Sequence, residues 1–399
     1  MQHRIIVLGA GYAGASAAGR LARKLSPEDV TITLVNAEPD FVERVRMHEL
    51  AAGKDLKPRP LVDILAGTGV ELRLAKVTAV DADRKTVAVI DADGGAELAY
   101  DTLVYALGSG WNDLGVPGTA EHACQIASRP GALEARERLA RMDAGQPVVI
   151  VGGGLTGIEA VTEIAEARPD LDVAIAVRGG FGDWLTPKAQ ERLREVADKL
   201  GITVHEHAAV TAVHADAVET ETGTIPAAVA VWTTGFAVHP IAGATTMEVT
   251  DRGQIVVDRD MRSVSHPDVY AVGDSGYAMS DVGKPLRMSC ASGIPMAWIA
   301  ADAIAAELTG GKRGKVPLAY AQQCISLGRK EGLIQFVTAA DQAKAGFLRG
   351  RTAAIYKELI CKGAAWSVAN PTLGIPVRRK HVQNAEARTE AGSAVRALA

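Results

Sequence analysis

The chain has 399 residues, 43 Lys+Arg against 47 Asp+Glu for a net charge of −4, 48% hydrophobic and 4% aromatic residues, and 41 Gly. At roughly 100–200 residues per domain this is enough for two or three domains with their own cores, and it excludes whole-chain disorder and collagen-like repeats. Four scattered cysteines exclude a disulfide framework, the near-neutral balance with a pI near 6.2 argues against nucleic acid as a partner, and no apolar run reaches the roughly 20 residues of a spanning helix.

Arg4-Ile5-Ile6-Val7-Leu8 reads as a buried parallel strand that breaks at Gly9-Ala10-Gly11-Tyr12-Ala13-Gly14. Ala15 to Leu25 predicts a helix and Val30 to Val35 a second strand, which completes a βαβ unit. Gly9, Gly11 and Gly14 then serve the tight turn, the close approach to a pyrophosphate and the packing of helix on strand, with phosphate at the helix N-terminus. Val77–Val80 and Thr86–Ile90 predict a strand pair, and Thr102–Gly108 a buried strand ending in glycine. Strand Pro147–Val151, turn Gly152-Gly153-Gly154-Leu155-Thr156-Gly157, helix Ile158–Ala167 and strand Leu171–Val177 repeat the unit. One such glycine turn is weak evidence; two in matching settings are strong. Ala228–Gly235 and Val269–Asp274 are further strands, followed by an Ala-rich helix over Gly293–Leu308. Beyond Gly310-Gly311 the chain turns basic: positions 344–380 carry eight Lys and Arg against the single acid Glu358. Gly350 and Gly363 predict a basic amphipathic helix of about three turns between them. Asn384 to Ala399 is expected to be mobile.

The order of the two glycine turns, Tyr100–Gly108, Trp232-Thr233-Thr234-Gly235-Phe236 and His266–Asp274 resembles the two-dinucleotide flavoproteins that include pyridine nucleotide-disulfide reductases, type II NADH dehydrogenases and apoptosis-inducing-factor-like reductases. The resemblance implies an α/β fold with two Rossmann-like dinucleotide-binding domains and a C-terminal α+β region. The FAD domain would take residues 1–112 and 236–310, the NAD(P)H domain 113–235, and a cover region 311–399. It implies FAD on Gly9, Gly11, Gly14, Asn36, Ala37, Val77, Ala106, Gly108, Asp274 and Met296. NADH or NADPH would lie on Gly152, Gly154, Gly157, Arg178, Thr234 and Gly235, with Glu159 near the nicotinamide.

The departures from the family pattern are informative. The acid expected about 20 residues after the first glycine turn is Asn36, with Glu38 beside it, and the second unit ends in Val177-Arg178, so coenzyme preference stays open. No cysteine precedes Cys124, so the paired thiols of the disulfide reductases are missing and direct transfer from flavin to a diffusible acceptor is expected. Phe41–Glu49 occupies that place; Arg44, Arg46 and His48 are candidates to touch flavin or protonate the acceptor, or simply form a charged helix face. Cys290 is expected to be a packing residue, and Trp366 lines an acceptor pocket or fills a core. Together these features predict an FAD-dependent NAD(P)H dehydrogenase that delivers electrons to a quinone-like acceptor. A ferredoxin-type carrier docking on the basic region, or redox-controlled association, are the alternatives. The expected setting is cytoplasmic, with weak membrane-surface contact and a homodimer both open.

Overall fold

The computed structural model describes residues 2–383. β1 (His3–Leu8) carries Ile5, Ile6, Val7 and Leu8 almost wholly buried, as the central strand of a parallel sheet. α1 (Tyr12–Lys24) starts within the glycine turn, three residues earlier than its composition predicts. β2 (Val30–Asn36) pairs parallel with β1. The five-stranded sheet runs Val70–Leu74, β2, β1, Thr102–Tyr105, Val269–Ala271, all parallel.

The second unit repeats this plan. β3 (Pro147–Val151), α2 (Leu155–Ala167) and β4 (Asp172–Ala176) form its βαβ core. Its sheet runs Thr203–His205, β4, β3, Val229–Trp232, Ala123–Gln125, again all parallel. Each unit also carries a three-stranded antiparallel meander, 76–99 in the first and 210–226 in the second. The chain leaves the first unit along Ser109–Trp111 and returns along Phe236–Val238, and these two segments pair antiparallel.

α3 (Cys290–Thr309) lies against α1, where Arg20 and Lys24 reach the buried Asp302 at 2.7 and 2.6 Å. An antiparallel sheet follows, made of Gln322–Ser326, Gly332–Val337 and Ala343–Arg349. α4 (Gly350–Ala369) closes the described chain. The three-turn limit expected for this helix is wrong: Gly363 lies inside a 20-residue helix. A glycine costs a helix about 1 kcal/mol, which packing of Ala353, Cys361, Ala365 and Val368 against the body offsets. The segment expected to be mobile, Asn384–Ala399, lies outside the described residues.

Candidate active site

Both cradles are built by contact. A Cβ on Gly14 would stand 1.8 Å from the Gly9 carbonyl oxygen, so α1 is seated on the end of β1 with no room for a side chain. Gly157 repeats this with 1.8 Å to Gly152 O. By contrast, nothing lies within 4 Å of the Cβ positions of Gly11 and Gly154, the N-cap residues of α1 and α2. Neither helix has a side-chain cap, so their first N–H groups face open space. An anion fits there, since free N–H groups and the helix dipole both favour it. This is the fit expected of a dinucleotide pyrophosphate at each cradle.

The flanking strands close over the turns in the same way. Ala106 O approaches Gly9, and Thr233 and Thr234 approach Gly152. Gly108, Gly235 and Gly273 all have positive φ, from 70° to 77°, so these strand ends turn sharply outward. Ser275 Oγ accepts from the Gly108 N–H at 2.9 Å and thereby ties the ends of two neighbouring strands. Asp274 accepts from Ser109 Oγ at 2.6 Å and pairs with Arg44 at 3.5 Å; it is not a side-chain cap of the turn that holds it.

Asn36 turns its side chain onto its own loop. Its Oδ1 accepts from the Ala10 N–H at 2.9 Å and its amide donates to Glu38 O at 2.7 Å, while its backbone oxygen accepts from the Ala75 N–H at 2.9 Å. Ala37 follows Asn36 directly, and Val77 is a buried core residue of strand Lys76–Asp81, two positions after Ala75. Met296 is buried in the second turn of α3 with its tip against the Cβ position of Gly276, because α3 begins at Cys290 rather than Gly293. Arg178 is exposed just past the end of β4.

The segment in place of the paired cysteines folds as a 3-10 turn, Arg44–Arg46, and a short helix, Met47–Ala51. Met47, Leu50 and Ala51 belong to the hydrophobic core of the second unit, so this segment bridges the two domains and brings His48 to α2. Glu159 is buried on α2. Its carboxylate pairs with Lys357 Nζ of α4 at 2.7 Å, accepts from the Ser326 N–H at 3.0 Å and lies 3.9 Å from His48 Nδ1. Burial alone would push Glu159 up, but Lys357, His48 and the Ser326 amide outweigh it and hold the carboxyl below its ordinary value. Burial likewise opposes the charge on Lys357, and Glu159 more than restores it, so the ammonium titrates well above its ordinary range. His48 Nε2 and the Tyr12 hydroxyl are buried without partners among the described residues.

Arg46 requires a correction. Its guanidinium is buried and held by Glu43 at 3.2 Å, Glu49 at 2.9 Å and Glu358 at 2.8 Å. Burial works against its charge, but Glu49 and Glu358 override this and raise it further above the usual arginine range, so it cannot protonate an acceptor. It clamps the bridging segment to α4. Trp366 is half exposed on the outer face of α4 and does not fill a core. The four thiols are free, and burial pushes Cys124, Cys324 and Cys361 up to about 11, which leaves them as unreactive packing groups.

Lys357 is the functional candidate that sequence reasoning missed. The usable signal was a lone cation in the otherwise apolar stripe Ala353, Lys357, Cys361, Ala365, Val368, which implies a buried counter-ion.

The paired cradles and their shared strand order are matched by the family description pyridine nucleotide-disulphide oxidoreductase over residues 3–304. The chain belongs to this family. It is similar to an NADH dehydrogenase-like protein of Mycobacterium tuberculosis, 30% identical over 73% of this chain and 78% of that one. A type II NADH:quinone oxidoreductase of Staphylococcus epidermidis is 28% identical over 89% of this chain and 95% of its own. Among solved structures, the sulfide:quinone oxidoreductase of Aquifex aeolicus superposes with a TM-score of 0.77 at 19% identity, covering 96% and 97% of the two chains, which supports the fold alone. Family membership makes this chain an oxidoreductase, and the uncapped cradles are where FAD and a nicotinamide dinucleotide fit.

Proposed function

We propose that this chain is an FAD-dependent NAD(P)H oxidoreductase that passes hydride from nicotinamide to flavin and then two electrons to a quinone or similar small acceptor. The observation that carries the reading is the buried Glu159–Lys357 pair, which joins the helix of the second cradle to the C-terminal helix and faces His48 of the segment that takes the place of the paired thiols. The similarity to a type II NADH:quinone oxidoreductase supports the acceptor class. Bound FAD supplies the hydride-accepting and electron-donating chemistry. The chain itself supplies orientation: each cradle fixes one dinucleotide by its pyrophosphate, which makes the transfer effectively unimolecular. Lys357, kept as an ammonium, stabilises negative charge developing on an acceptor, and Glu159 holds that ammonium in place. His48 can take and give a proton through its unpaired Nε2. Anaerobic mixing of the yellow protein with NADH and with NADPH tests the assignment. The flavin absorbance should bleach with one of them and return on addition of a soluble quinone; a band unchanged by both overturns it.

The outer face of α4 extends this reading to location. Ile355, Leu359 and Trp366 are 54%, 61% and 50% exposed at helical spacing, flanked by Arg351 and Lys362. Leu373, Ile375 and Val377 continue the apolar surface toward Arg378, Arg379 and Lys380. An apolar stripe with a basic rim suits the surface of an anionic bilayer, where lipid-soluble acceptors partition. No helix among the described residues is long and apolar enough to cross a membrane. The protein should co-sediment with phosphatidylglycerol vesicles, and Leu359→Glu with Trp366→Glu should leave it in the supernatant with coenzyme bleaching intact. A stable dimer that the same substitutions dissociate would assign this face to a second copy instead.

A further inference from the structure

The register that equates the two cradles also equates the residues that follow them. The Gly9 N–H donates to Val35 O at 2.8 Å and the Gly152 N–H to Ala176 O at 3.0 Å, so Asn36 corresponds to Val177 and Ala37 to Arg178. A dinucleotide-binding unit usually places an acid here, about 20 residues past the turn, to accept the adenosine ribose hydroxyls. In the first unit Asn36 at least carries an oxygen. In the second, Val177 is 2% exposed and packs over the turn, with its Cγ1 2.8 Å from the Cβ position of Gly153. It offers neither an acceptor for a 2′-hydroxyl nor a charge that would repel a 2′-phosphate.

The neighbouring acids are already engaged. Glu206, past the end of the adjacent strand, is held by Arg194 at 2.7 Å and by the Phe181 N–H at 2.6 Å. Asp183 accepts from the Gly180 N–H at 3.2 Å. Arg178 is exposed beside them and has no hydrogen-bond or ion-pair partner among the described residues. A guanidinium left free at the ribose position matches a phosphate, which it can grip with two parallel N–H bonds.

We propose that Arg178 reads a 2′-phosphate on the adenosine ribose and that the chain selects NADPH over NADH. This rests on the second cradle being the coenzyme site. The test is calorimetric titration of the FAD-loaded protein with adenosine 2′,5′-bisphosphate and with 5′-AMP, neither of which is turned over. The bisphosphate should bind at least about 10-fold tighter, as expected of charge-assisted hydrogen bonds. Raising the salt should shrink that advantage. Arg178→Gln should abolish it, bringing the bisphosphate to the affinity of 5′-AMP for the same variant, and Val177→Glu should abolish it by repulsion. Equal affinities in the unaltered protein, or an advantage that survives Arg178→Gln, overturn the inference and leave the coenzyme site standing. Failure of both ligands to bind overturns the site assignment and this inference with it.

Discussion

Gly14→Ala should give a protein that purifies nearly colourless, with its thermal midpoint lowered as well. The new Cβ would lie 1.8 Å from Gly9 O, 3.0 Å from Gly9 C and 3.2 Å from the Ala106 side chain. The first two neighbours are backbone, which cannot rotate aside, so α1 must lift off the end of β1. Overpacking of this kind costs at least about 1–3 kcal/mol before any flavin is considered. Gly11→Ala separates the two consequences, because nothing lies within 4 Å of its Cβ position. That substitution should leave the flavin-free protein as stable as the parent and weaken only FAD uptake, by filling the space a pyrophosphate needs. Gly157→Ala transfers the argument to the second unit: with 1.8 Å to Gly152 O, it should remain yellow yet resist bleaching by either coenzyme. The ratio of flavin to protein absorbance and the melting midpoint of each variant are the measurements. A Gly14→Ala protein with full flavin content and an unshifted midpoint would remove the steric basis for the first cradle.

These glycines were legible in the sequence because the constraint is local: a turn that must bring helix onto strand tolerates no side chain, whatever surrounds it. The two βαβ units followed from the same repeats. Glu159 was legible as a position but not as a partner, since Lys357 lies far along the chain on a helix whose inner face becomes defined only once the C-terminal sheet has docked it. The same holds for Arg46. Its pairs with Glu43 and Glu49 are readable as i,i+3 spacings, whereas Glu358, which turns it into a clamp between segments, is not. Gly363 misled for a related reason: local propensity argued for a break, and tertiary packing decided otherwise. Where a residue's task depends on contacts between distant segments, the pattern of one segment gives only half of it.

Lys357→Met should destabilise the protein by about 3–5 kcal/mol near neutral pH, the usual cost of stranding one member of a buried ion pair. It should also reverse the pH dependence that Glu159 contributes. In the unaltered protein burial raises the Glu159 pKa, but Lys357 and its other partners bring it below the ordinary value. Its contribution is therefore present above the unfolded carboxylate pKa of about 4.3 and lost as the pH falls through the lower folded value. Without Lys357, burial dominates and the folded value rises above the unfolded one. The contribution is then fully present below about pH 4.3 and lost as the pH rises through the raised value. Urea midpoints measured across the acid range should accordingly increase toward low pH in the variant, relative to the parent. Adding Glu159→Gln removes the stranded charge and should recover most of the stability, since replacing both partners of a buried pair is often close to neutral. Function should not follow. With the ammonium gone, reoxidation of the bleached flavin by quinone should stay slower by about 100-fold, the scale of losing one preorganised charge-stabilising group. Bleaching by coenzyme should change far less, because the glycine cradles are untouched. If the double variant regained both stability and rapid reoxidation, the Glu159–Lys357 pair would be a strut between helices and the charge on the acceptor would have to be met by another group, with His48 the nearest candidate.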